Sequence, residues 1–109
     1  MLVLFDQGTP VPLREFLASH TIRTAAEQHW TTLANGLLLD AAEAAGFDLL
    51  LTTDKNIRYQ QNLAGRRIAI VVLGQPRWPI VRMHVARAIA TVNAATPGSY
   101  TEVDIPASS

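Results

Sequence analysis

At 109 residues, nearly half of them apolar and 17% charged, the chain has material for one buried core and too little for two. Nine basic residues balance nine acidic ones, so any affinity for nucleic acid has to come from a local patch and not from net charge. The lack of cysteine excludes disulfides, thiolate zinc sites and cysteine nucleophiles and agrees with a reducing compartment, so the cytoplasm is the expected location.

The first segment, "MLVLFDQGTP", turns acidic after a few apolar residues and has neither the basic start nor the apolar stretch of a secretion signal. No apolar run approaches the ~20 residues that span a bilayer, so no membrane role is expected. "LVLF" (2–5) reads as a strand. Pro12 can open a helix in which Leu13, Phe16 and Leu17 share a face. "TIRTA" (21–25) is a weaker strand candidate.

From Asn35, read as an N-cap, "GLLLDAAEAAG" sets Leu37, Leu38, Ala41, Ala42 and Ala45 on an apolar arc, with Asp40 and Glu43 on the solvated side and Gly46 as the stop. "FDLLLTT" (47–53) and "IAIVVL" (68–73) are continuous apolar runs of the kind that parallel sheets bury on both faces, and Asp48 leads into the first of them. Between them, "KNIRYQQNLAG" reads as a short helix. From Pro79 to Asn93 one helix is expected, with Val81, Val85, Ala88, Ile89 and Val92 as its stripe. The alternating "YTEVDI" predicts an edge strand or a loose tail, and the final four residues are expected to be disordered.

Strands alternating with helices predict a three-layer α/β domain over residues 1–95, with a small, mostly parallel sheet flanked by helices, followed by an extension over 96–109. In such sheets ligands sit beyond the carboxyl ends of the strands. Asp6 follows the first strand and Asp54 the "FDLLLTT" strand, so both project from one edge of the sheet. Two neighbouring carboxylates repel each other unless a cation or a proton intervenes, and a hard divalent ion with oxygen ligands is the usual remedy. The alternative for each is a turn or cap: Asp54 can cap the helix after it, and Asp6 can serve the turn before Pro12.

"LVLFDQGTP" followed by "NGLLLDAAEAAGFDLLLTTDKNI" resembles the small, toxin-type PIN-like ribonuclease proteins over about residues 2–73. The resemblance implies a three-layer PIN-like domain, a bound Mg²⁺ or Mn²⁺, RNA as substrate and an antitoxin-like protein as partner. Asp6 matches the first family acid and Asp54 the acid after the later strand, with Thr53 as its polar neighbour. Three expected acids fall on amides: Gln7 after the first strand, Asn35 at the start of the middle helix, and Asn56 two places after Asp54. The metal set implied is Asp6, Asp54, Asn35 and Asn56, with fewer charges than the family pattern. Glu27, in "TAAEQHW", can restore an acid if its loop folds over the strand ends.

Lys55 and Arg58, which flank Asp54, and Arg14, near Asp6 in sequence, are candidates for contact with a phosphate backbone; surface solvation is the alternative for each. Tyr59 can stack on an unpaired base, or pack against Leu63. Arg66 and Arg67 fall at the other end of the incoming strand, outside the site. The three histidines show no zinc spacing, and no nucleotide-binding or nucleophile-elbow motif occurs.

The expected function is therefore a metal-dependent endoribonuclease with a weakened acidic site, or a degenerate relative that binds RNA or a protein as a scaffold. A receiver-like phosphoacceptor domain also has an aspartate after its third strand, but the paired acids after strand one and the lysine after "IAIVVL" are missing. Trp78 and the last helix are the expected surface for a homodimer.

Overall fold

The computed structural model describes residues 1–60 and 63–106, with the side chains of Tyr59 and Gln60 outside that description. The expected strands form: β1 Leu2–Phe5, β2 Thr21–Thr24, β3 Leu49–Thr52, β4 Ala69–Val72 and β5 Tyr100–Glu102. They make one five-stranded, entirely parallel sheet in the order β2-β1-β3-β4-β5. Phe5 pairs with Thr24 on one side and Leu51 on the other, so the ends of β1, β2 and β3 reach the same edge.

Alternation along the strands builds two cores. Val3, Phe5, Leu49, Leu51, Ala69 and Val71 face a layer made by a 3₁₀ helix, Val11–Leu17, and by helices α3 (Trp78–Arg82) and α4 (Val85–Ala94). Leu4, Leu50, Ile70 and Val72 face α1 (Asn35–Ala44) and α2 (Ile57–Gln60) on the other side. Helices on both faces complete a three-layer α/β domain. No helix among the described residues is long and apolar enough to cross a membrane.

Several local expectations change. The N-cap of α1 is Ala34, not Asn35, which is the first helical residue and keeps its side chain for another contact. Leu38, Leu39 and Ala42 are the buried residues of α1, while Leu37 is 61% exposed; three successive leucines offer the sheet more apolar surface than one helix face can bury. Gly46 ends the helix with φ +85°, as a C′ glycine does. Asp40 and Glu43 are not merely solvated, since both accept hydrogen bonds from Arg66, at 3.0 and 2.6 Å. Asp48 leads into β3 and accepts the Leu2 N–H at 2.8 Å.

The single helix expected over 79–93 is two. His84, at φ −123° and ψ 23°, leaves the helical region between α3 and α4, where the chain turns from the end of β4 back across the sheet. Periodicity misses the break because Val81, Ala88 and Val92 stay in phase and are all buried. Beyond Ala95, the segment read as an extension supplies β5 and places Val103 and Ile105 in the core. The expectation for the last residues lies outside the described residues from 107 onward.

Candidate active site at the ends of strands one and three

The chain leaves β1 through the 3₁₀ helix on one face and leaves β3 through α2 on the other. The crevice expected at the topological switch point, where doubly wound sheets bind ligands, therefore falls between the carboxyl ends of these two adjacent strands. Asp6 and Asp54 stand there.

Thr52, fully buried at the end of β3, ties them together. Its hydroxyl donates to Asp6 Oδ2 at 2.8 Å and accepts the Asp54 N–H at 3.1 Å. Asp6 Oδ1 accepts the Gln7 N–H at 2.7 Å. Asp54 Oδ1 accepts the Asn56 N–H at 2.9 Å, an Asx turn that leads into α2, and Asp54 Oδ2 accepts the Asn35 side-chain N–H at 2.9 Å. One oxygen of Asp54 thus takes the turn role, while the other joins α1 to the end of β3. Among the described residues the donors to the four carboxylate oxygens are neutral, so they orient the two carboxylates without supplying a countercharge.

The loop after β1 is fastened to β3 as well. The buried Thr9 hydroxyl donates to the Leu51 carbonyl at 2.7 Å, and the Asp6 N–H reaches the same carbonyl at 3.0 Å. Between them, Gly8 passes so close to Thr53 that a Cβ on it would lie 2.8 Å from Thr53 Oγ1. The two loops that carry the acids therefore touch.

The remaining candidates are spread around the same edge. Arg14 turns to Glu27 at 3.1 Å and to the Ile22 carbonyl at 2.8 Å. Glu27 lies beyond β2 in a capping box with Thr24, accepting its N–H at 2.8 Å while its own N–H reaches Thr24 Oγ1 at 3.1 Å. The Thr24 N–H, followed by the Arg14 guanidinium, holds the Glu27 carboxyl below the ordinary carboxylate range. This carboxylate is committed to its own loop and to Arg14. The Arg58 guanidinium lies over the Tyr100 ring, 5.5 Å from its centroid, on the β5 side of the molecule. The stem of Lys55 crosses Gly74, where φ is +68° and any Cβ would collide with it. Asn56 is exposed and contributes its N–H. The Tyr59 side chain lies outside the described residues, and Arg66 and Arg67 serve the other end of β4 by binding Glu43.

The fold thus brings together Asp6, Asp54 and Asn35, with Asn56 joined through its backbone. Thr52 and Gly8 belong with them and were not singled out in the sequence. The only sequence cues were a threonine closing an otherwise aliphatic strand and a glycine two residues past the first acid. Among the described residues, no three His, Cys, Asp or Glu side chains gather to hold a metal ion. Any cation here would rest on two carboxylates and on neutral oxygens from hydroxyl and amide groups. That set is hard and oxygen-only, which suits Mg²⁺ or Mn²⁺.

Fold and site together define a doubly wound, parallel α/β domain with an aspartate pair at its switch point. No family model, curated protein or solved structure matches the chain.

Proposed function

We propose that the chain is a divalent-metal-dependent endoribonuclease of the PIN-like type, acting as the toxin-like member of a pair with an antitoxin-like protein. The observation that carries this reading is the linkage of Asp6 and Asp54 through Thr52 at the β1/β3 crevice, with neutral donors on their oxygens among the described residues. The pattern "LVLFDQGTP … TTDKNI" supports it, because the residues matched to family acids are the ones that come together.

Asp6 and Asp54 would hold Mg²⁺ or Mn²⁺, with Asn35 and Asn56 completing or orienting the shell. The ion would supply an activated water and charge stabilisation for phosphodiester cleavage. The work of the chain itself is orientation: Thr52 fixes Asp6 and the Asp54 backbone relative to each other, and Asn35 fixes the outer oxygen of Asp54. Lys55, one residue beyond Asp54, would meet a phosphate of the RNA. Two carboxylates are a modest charge for an all-protein cation site, but Mg²⁺ commonly binds through one or two carboxylates plus the phosphates of its substrate. The amides at Gln7, Asn35 and Asn56 are consistent with a site completed by RNA.

A second reading follows from the same hydrogen bonds. Each carboxylate oxygen already serves the fold, so the module can bind RNA or a protein as a scaffold without catalysis. Calorimetric Mn²⁺ titration, with and without a short RNA, separates the two when wild type is compared with Asp6→Asn/Asp54→Asn. The nuclease reading expects metal binding and multiple-turnover RNA cleavage that both vanish in the double variant. RNA binding that is unchanged in the double variant, with no cleavage by either protein, establishes the scaffold.

A further inference from the structure

The chain is neutral overall but sharply divided: from Lys55 to Thr101 it carries seven of its nine basic residues and none of its nine acids. Some of these cations are engaged by the fold. Arg66 is bound by Asp40 and Glu43, Arg87 donates to the Asp104 carbonyl at 2.8 Å, and Arg58 lies over Tyr100. Arg77 and Arg82 bracket α3 as exposed residues, and the three ion pairs found among the described residues use only Arg14 and Arg66.

Between those arginines lies Trp78, half-buried, its ring 5.7 Å from that of Phe16, which is 42% exposed. Arg77 and Arg82 stand about 7.5 Å apart along the helix axis, from the rise per residue. The placement of α3 matters as much as its composition. It follows the end of β4 within a few residues, and β4 neighbours β3, so it lies on the edge of the sheet that carries Asp6 and Asp54. The Arg87–Asp104 contact confirms that α4 also starts at this edge, since Asp104 lies just past the end of β5. Lys55, one residue past Asp54, lays its stem across Gly74 in the loop between β4 and α3, three residues before Arg77 and on the rim that Glu102 and Asp104 share.

We infer that Lys55, Arg77 and Arg82, with the Trp78–Phe16 aromatic pair among them, form the track on which single-stranded RNA approaches the crevice. The inference deepens the ribonuclease reading and rests on it for the choice of RNA. The chemistry is that of single-strand binders: cations follow the backbone while an aromatic face takes an unpaired base without regard to sequence. Duplex RNA would offer Trp78 no unstacked base, whereas a single strand can set an unpaired base beside the aromatic pair while its backbone meets the cations.

The test is fluorescence anisotropy with a short, labelled, single-stranded RNA in EDTA, so that binding is read without metal or cleavage. Arg77→Ala/Arg82→Ala is compared with wild type and with Arg67→Ala, an exposed arginine at the opposite edge. The double variant is expected to bind about tenfold or more weakly, and to lower the slope of log affinity against log salt by about 1.4, for two phosphates lost. Arg67→Ala should bind as wild type, and duplex RNA of the same length should bind less well than the single strand. Equal binding by the double variant and wild type overturns the track, as does equal loss in Arg67→Ala or a preference for duplex. Failure here is distinct from failure of the nuclease. Cleavage that needs Asp6 and Asp54 but ignores Arg77 and Arg82 sinks only the track, whereas RNA bound by the track and never cut sinks only the nuclease.

Discussion

Gly8 and Thr53 are in contact across the crevice: a methyl group on Gly8 would lie 2.8 Å from the Thr53 hydroxyl oxygen, closer than a methyl carbon approaches another atom. The loop after β1 and the loop after β3 are therefore held at a separation that a larger residue cannot keep. Gly8→Ala is expected to cost about 1–3 kcal/mol by overpacking, measured by urea denaturation. It should also weaken Mn²⁺ binding, because the displaced loops carry Asp6 and Asp54.

Thr52 joins the same two acids through one hydroxyl. Thr52→Val keeps the shape but leaves the Asp54 N–H without this acceptor and Asp6 Oδ2 without this donor. It is expected to lose about 1–3 kcal/mol of stability and about 10–100-fold in metal affinity. Thr52→Ser, which retains the hydroxyl, should recover most of the affinity; calorimetry on both variants checks this. A purely structural role would leave affinity unchanged once the folded fractions are matched.

Asn35 donates to Asp54 at 2.9 Å, so Asn35→Asp sets two carboxylates against each other. Without metal this variant should be less stable by about 1–3 kcal/mol at low salt, from the lost hydrogen bond and the new repulsion. With Mn²⁺ the sign reverses: the added charge should tighten binding by about tenfold or more, and RNA cleavage should rise. Thermal unfolding with and without Mn²⁺ reads both effects.

Glu43 ties α1 to the start of β4. Burial pushes its carboxyl up, but the Arg67 N–H and the Arg66 guanidinium outweigh that, so it sits below its ordinary value of 4.5. A depressed carboxyl contributes stability above that value and loses it as the pH falls through the lower, folded value. Glu43→Gln is expected to cost about 1–2 kcal/mol near neutral pH. The gap from wild type should close as the pH drops below 4.5, which urea titrations at successive pH values measure.

The aliphatic runs and the acids that close them were legible in the sequence because both depend on local pattern. Val3 and Phe5 alternate with Leu4, and the end of such a run marks where a strand leaves the core. The division of α3 from α4 was not legible, since the turn at His84 preserves the helical phase. Nor was the pairing of Asp40 and Glu43 with Arg66, whose partner lies more than twenty residues away in the chain.

By itself, the sequence determined the parallel α/β class, the edge on which Asp6 and Asp54 emerge, and the shortage of acids around them. Burial periodicity and residue chemistry act over a few residues, so a single chain displays them directly. Only the tertiary structure decided that β1 and β3 are neighbours at the switch point, that Thr52 joins the two aspartates, that Gly8 meets Thr53, and that Glu27 is drawn to Arg14. These depend on strand order and on contacts between distant segments, which are set when the two faces of the sheet are covered and which no local pattern encodes.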